Sequence, residues 1–139
     1  MQKRQVKMLS AMLVLVMLVL LAIPAAAMAE DGIAPHFTYI VDSEATMNIT
    51  GTTATVDAWV CGDLVYATKA KIIAELQVKN GNDWIPVAIW TDTKDGLKAH
   101  VYETKSVVKG HTYRVKATGT IWEGSQSETV TFYTDEDVA

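Results

Sequence analysis

The chain has 139 residues, the length of one domain, and half of them are hydrophobic, so a buried core is within reach. Sixteen acidic residues outweigh twelve basic ones, which argues against nucleic acid or anionic lipid as a partner, because phosphate groups are held by basic surfaces. Cys61 is the only cysteine, so an intrachain disulfide is excluded and burial alone must hold the fold.

In chain order, the first stretch reads as an address. Gln2–Lys7 is basic, Met8–Ile23 is almost wholly apolar, Pro24 breaks the run, and Ala27-Met28-Ala29 fits the small-x-small pattern of a signal-peptidase site. Residues 1–29 are therefore expected to form a signal helix cleaved after Ala29, with an uncleaved membrane anchor as the alternative. The apolar run falls short of the ~20 residues that a spanning helix needs. Cleavage would remove Lys3, Arg4 and Lys7, leaving nine basic residues against all sixteen acidic ones, a formal net charge near −7. No cysteine adjoins the cleavage site, which argues against a lipid anchor. The expected product is secreted, free or held at the cell wall, with no stable membrane insertion.

Residues 30–36 contain Gly32 and Pro35 and read as a flexible N-terminus. Phe37–Val41 is a short strand or packed arm, and Asp42-Ser43-Glu44 is expected to turn the chain. Met47–Thr50 leads through Gly51-Thr52 into Thr53–Cys61, where Val56, Ala58 and Val60 alternate with Thr55, Asp57 and Trp59, the period-two signature of a half-buried strand. Gly62–Thr68 is a loop with Leu64, Val65 and Tyr66 tucked against the body. In the strand Lys69–Lys79, Ile72, Ala74, Leu76 and Val78 point inward. Asn80-Gly81-Asn82-Asp83 then makes the clearest hairpin turn in the chain, with Gly81 supplying the positive φ. In the second arm, Ile85, Val87 and Ile89 are expected to oppose Trp84, Pro86, Ala88 and Trp90. Pro86 cannot donate to a ladder and marks an edge strand or a bulge.

Thr91–Leu97 reads as a polar loop and Lys98–Lys105 as a further strand. Val107–His111 turns into Thr112–Trp122, the longest alternation, with Tyr113, Val115, Ala117, Gly119 and Ile121 on one side. Glu128–Thr134 closes the domain (37–134), and residues 135–139 form an acidic, frayed tail. About seven short strands with turn signals every 8–12 residues indicate an all-β protein, an immunoglobulin-like Greek-key sandwich. Tyr113, just after the Gly110 turn, occupies the place of a tyrosine corner. Its hydroxyl is expected to bond back to the backbone near Val107–Gly110.

Leu76-Gln77, the glycine turn, Trp84 and Trp90, Lys109-Gly110-x-Thr112-Tyr113-Arg114-Val115, and Ser127-Glu128-Thr129-Val130-Thr131-x-Tyr133 together resemble a family of small secreted proteins of Gram-positive bacteria, a domain of unknown function. The resemblance covers most of the chain after the leader and implies export and a β-sandwich. It carries no catalytic residues. Thr134 departs from the serine expected after the closing tyrosine.

Groups able to do chemistry are sparse. His36, His100 and His111 form no ligand pair, no nucleophile motif is present, and Asp92–Gly96 lacks the carboxylates of a calcium loop, so no metal or cofactor is expected. Cys61 reads as a small buried hydrophobe, an intermolecular disulfide partner or, least well, a thiolate. Trp59, Trp84, Trp90 and Trp122 are the candidate binding residues: packed in the core or its rim, gripping a protein partner, or stacking on a cell-surface glycan. The expected function is a secreted binding module without catalytic activity. The alternatives are carbohydrate or cell-wall binding through exposed tryptophan, and a small secreted hydrolase. A deep pocket with convergent carboxylates, or a His–Asp pair, would count against the first.

Overall fold

The computed structural model describes residues 37–139; the leader and residues 30–36 lie outside the described residues. Eight strands run in order: β1 (Ile40–Thr50), β2 (Thr53–Gly62), β3 (Lys69–Asn80), β4 (Asp83–Asp95), β5 (Lys98–Ser106), β6 (Thr112–Glu123), β7 (Gln126–Tyr133) and the two-residue β8 (Asp137–Val138). No helix occurs among the described residues, in keeping with apolar side chains that repeat every second position rather than every third or fourth. None is therefore long and apolar enough to cross a membrane.

The strands form two antiparallel sheets, β1-β2-β5 and β4-β3-β6-β7, with β8 pairing to β6. Alternation decides which residues meet between them. Val56, Ala58 and Val60 from β2 face Ile72, Ala74 and Leu76 from β3 and Val115, Ala117 and Ile121 from β6, all with no exposed surface. Burying each of the larger aliphatics contributes about 1.5–3 kcal/mol. Alanine and glycine on the inner faces let the sheets approach closely. A Cβ on Gly119 would lie 2.7 Å from the Val60 Cβ, so the backbone of β6 rests directly on that valine.

Three hairpins share one turn. Gly51-Thr52, Gly81-Asn82 and Gly124-Ser125 each link paired residues, and each glycine has φ near +60° while no other residue type does. Positive φ at the first central position alone marks a type II′ turn, whose twist suits the strands it joins. At the Val107–His111 corner the Val108 N–H donates to the Tyr113 hydroxyl at 2.9 Å, and Tyr113 is itself buried.

Five local expectations need correcting. Asp42-Ser43-Glu44 does not turn the chain. It continues β1 after a register shift between Ile40 and Asp42, because an edge strand on a solvent face accepts polar turn-formers while its partner β2 keeps the ladder. Thr91–Asp95 is strand, not loop, paired with Lys69–Ile73. Leu64 and Val65 are not tucked in; each is 81% exposed. The acidic tail is not frayed. Val138 pairs with Thr112, Ala139 N–H donates to His111 O, and Lys79 meets Glu136 at 3.2 Å.

The fifth correction concerns β4. Gln77 pairs with Pro86 and Leu76 with Ala88, leaving Val87 as the extra residue of a bulge at the proline. The bulge reverses the phase. Trp84 and Pro86 face out, whereas Ala88 and Trp90 face in and pack on the core. Ile85 lies with Val78 on the inner face and Ile89 with Glu75 on the outer one.

Candidate binding surface

The four tryptophans do not converge. Trp59 stands on the outer face of the smaller sheet, between Glu44 and His100 of its neighbours. Trp84 and Trp122 stand on the outer face of the larger sheet, at opposite ends of it. Trp84 pairs with Lys79 and Trp122 with Lys69, ten residues apart along β3, about 33 Å at ~3.3 Å per residue. Trp90 is turned inward, and all four are half-buried.

Each outward indole carries a cation on its face. Lys98 Nζ lies 4.4 Å from the Trp59 ring centre and Lys69 Nζ lies 5.1 Å from that of Trp122. Trp84 has two cations, Lys79 at 5.4 Å and the Arg114 guanidinium at 4.2 Å. Such contacts contribute about 0.5–1 kcal/mol at solvent-facing sites and occupy a ring surface that a sugar would need. Arg114 is also stacked 4.6 Å from Tyr133, and its Nε donates to Gln77 Oε1 at 2.8 Å. Gln77 is only 6% exposed, and its amide nitrogen donates to Glu75, so both ends of a buried amide are used. Arg114 and Gln77 were not singled out by sequence reading. The signal was available only once β3 and β6 were known to pair Gln77 with Arg114.

An open groove of about 580 Å3 lies between Ile89–Asp92 of β4 and His100–Glu103 of β5. There the free edges of the two sheets run side by side. Asp92 Oδ2 accepts the His100 backbone N–H at 3.0 Å, tying one sheet to the other. That N–H, with the Lys94 ammonium 3.3 Å away, holds the Asp92 carboxyl below the ordinary aspartate range although burial pushes the other way. His100 Nε2 lies 2.7 Å from Asp57 Oδ1, with the two side chains 43% and 40% exposed. Sequence separation of 43 residues hid this pair; antiparallel β2 and β5 bring it together.

No family model and no curated protein matches this chain.

The N-terminal arm is fastened by a residue to which the sequence reading gave no role of its own. Glu128 on β7 accepts three successive backbone N–H groups, from Thr38 at 2.7 Å, Tyr39 at 2.6 Å and Ile40 at 3.2 Å. Burial pushes the Glu128 carboxyl up, but these donors prevail and hold it below the ordinary glutamate range. The Tyr39 hydroxyl donates to Gln126 at 2.7 Å, and the nearby Glu123 carboxylate together with burial raises its pKa. Tyr39 also meets Tyr66 with ring centres 6.3 Å apart, beneath the exposed Leu64–Val65 tip. Cys61 is half-buried on the outer side of β2, two residues beyond Trp59. Among the described residues no group of three acidic, histidine or cysteine side chains is placed to hold a metal ion.

Proposed function

We propose that the domain is an extracellular, non-catalytic binding module built on an immunoglobulin-like Greek-key sandwich. A sheet of three strands and one of five, the fifth being the two-residue β8, with hairpins β1-β2, β3-β4 and β6-β7 joined by crossings between sheets, support that topology, as does the Tyr113 bond across the Gly110 corner. The resemblance to small secreted proteins of Gram-positive bacteria agrees with it. The observation that carries the functional reading is where the polar and aromatic groups lie. They are spread over two broad open sheet faces, with the β4–β5 groove open to solvent, and such surfaces suit docking better than the exclusion of water that catalysis exploits. The test uses residues 30–139, since residues 36–139 form one compact unit. Labelled domain is expected to bind cells or cell envelopes of the source organism saturably, and loss of that binding on heat unfolding identifies the folded surface as responsible. Absence of saturable binding overturns the reading.

A second reading, a small hydrolase, is favoured by the His100–Asp57 pair, which is two parts of a nucleophile–base–orienter set. Its openness to solvent weakens that case. Turnover of a peptide, ester or glycan substrate that His100→Ala abolishes would establish the hydrolase and displace the module. Carbohydrate binding by the tryptophans remains the third reading. It requires the uncovered face of Trp59, Trp84 or Trp122, and envelope binding unchanged by alanine at each of the three disposes of it.

A further inference from the structure

The fold sorts the charges of an acidic chain by face. Five of the nine basic residues outside the leader, Lys69, Lys71, Lys79, Arg114 and Lys116, occupy outward positions on β3 and β6, the two central strands of the larger sheet. Asp42, Glu44 and Asp57 occupy outward positions on β1 and β2 of the smaller one. The cations follow one another along the larger sheet for ten residues of β3, about 33 Å at ~3.3 Å per residue. In the middle of this stripe lie two cross-strand rows, Thr93–Lys71–Thr120–Thr129 and Thr91–Ile73–Thr118–Thr131. Six threonines thus form paired T-x-T segments on β4, β6 and β7, side by side on one face.

We propose that this outer face of β4-β3-β6-β7 binds a linear anionic polysaccharide, whose carboxylate or phosphate groups meet the cation stripe and whose hydroxyls bond to the threonine rows. The proposal rests on the binding-module reading and names the surface and the chemistry of its partner. Charge complementarity selects an anionic occupant even though the whole chain is acidic, because screening confines each charge to about 8 Å at physiological salt. The extended stripe suits a chain rather than a single anion. The hydroxyl rows suit a sugar polymer, since hydroxyls give and accept hydrogen bonds.

Much of the face is already ordered. Thr120 and Thr129 are hydrogen-bonded at 3.0 Å, and Lys69, Lys79 and Arg114 are laid against Trp122 and Trp84. Stacking on a ring leaves a cation its charge. Among the described residues the ion pairs are Lys79–Glu136, Lys94–Asp92 and His100–Asp57, so Lys71 and Lys116 keep their charge for a ligand. Two carboxylates share this face, Glu75 opposite Lys116 and Asp95 opposite Lys69, so the five cations leave it with a net positive charge; Glu75 also accepts from the Gln77 amide.

The experiment titrates residues 30–139 with polygalacturonate, a phosphate-bearing mannan, neutral dextran and single-stranded DNA, by calorimetry at low and high salt. Binding to polygalacturonate or the phosphorylated mannan, and which of the two, identifies the anionic group. The affinity is expected to fall several-fold as salt rises, and by about tenfold in the Lys71→Gln/Lys116→Gln double variant. Lys105→Gln/Lys109→Gln, which removes the same charge away from this face, is expected to change it less than about twofold. Binding to neither polymer, equal binding to dextran, tighter binding to DNA, or an equal loss in the control variant each overturns the proposal. If envelope binding persists while both polymers fail, this inference falls and the module reading stands. If envelope binding is absent too, both fall.

Discussion

At the scale of single residues, Tyr113 and Gly119 show two ways in which one atom holds a β-sandwich together. The Tyr113 hydroxyl is the acceptor for the Val108 N–H at a corner where no ladder partner exists. Tyr113→Phe leaves that N–H unpaired and is expected to cost about 1–2 kcal/mol, read as a lower denaturant midpoint with an unchanged slope. Gly119 acts by having no side chain. Gly119→Ala would set a methyl 2.7 Å from the Val60 Cβ and 2.8 Å from its Cγ2, so a loss of about 1–3 kcal/mol is expected. Adding Val60→Ala removes the Cγ methyls, at 2.8 and 3.3 Å, but keeps the Cβ, so it should relieve part of the strain and make the pair of changes cost less than their sum, as a double-mutant cycle by denaturant titration measures. The tyrosine was legible in the sequence because its partner lies five residues away, within one corner. The glycine was not, because the residue it touches belongs to the other sheet and no local pattern names it.

At the scale of elements, β4 and the N-terminal arm are both set by features that interrupt a pattern. Pro86 removes a donor, Val87 bulges, and the strand resumes with Trp90 inward. Pro86 announced an edge or a bulge, and β4 has both, but the residue absorbed by the bulge depends on pairing with β3. Deleting Val87 brings Pro86 and Ala88 opposite Gln77 and Leu76 without an intervening residue and keeps Trp90 facing in. The deletion is therefore expected to change stability by less than about 1 kcal/mol and to leave the tryptophan emission of the folded state unshifted. The arm is more fragile. Three N–H groups hold the Glu128 carboxyl in its ionised form, so its contribution is whole above the ordinary glutamate range and is lost as pH falls through the depressed folded value. Protection of the Thr38, Tyr39 and Ile40 amides, measured as exchange relative to the intrinsic rate at each pH, should fall on acidification through that window in the native protein. In Glu128→Gln exchange should already be fast at neutral pH, with global stability lower by about 1 kcal/mol.

At the scale of the whole molecule, the distribution of charge differs from its sum. A formal net charge near −7 for residues 30–139 spoke against nucleic acid and anionic lipid. The sheets instead place five cations, with Glu75 and Asp95 among them, on the outer face of the larger sheet, and Asp42, Glu44 and Asp57, with Lys98, on that of the smaller. The sequence by itself determined the strands apart from the start of β1, the end of β4 and β8, together with the inward residues of β2, β3, β6 and β7, the glycine turns and the tyrosine corner. Each of these depends on neighbours a few residues apart and on side chains that alternate with period two. Only the tertiary structure decided that Trp84 and Trp90 face opposite ways, that Arg114 sits on Trp84 over Gln77, that His100 meets Asp57, and that Glu128 clasps the arm. These depend on strand register and on which strands are neighbours, and the energy that settles them comes from contacts between residues far apart in the chain.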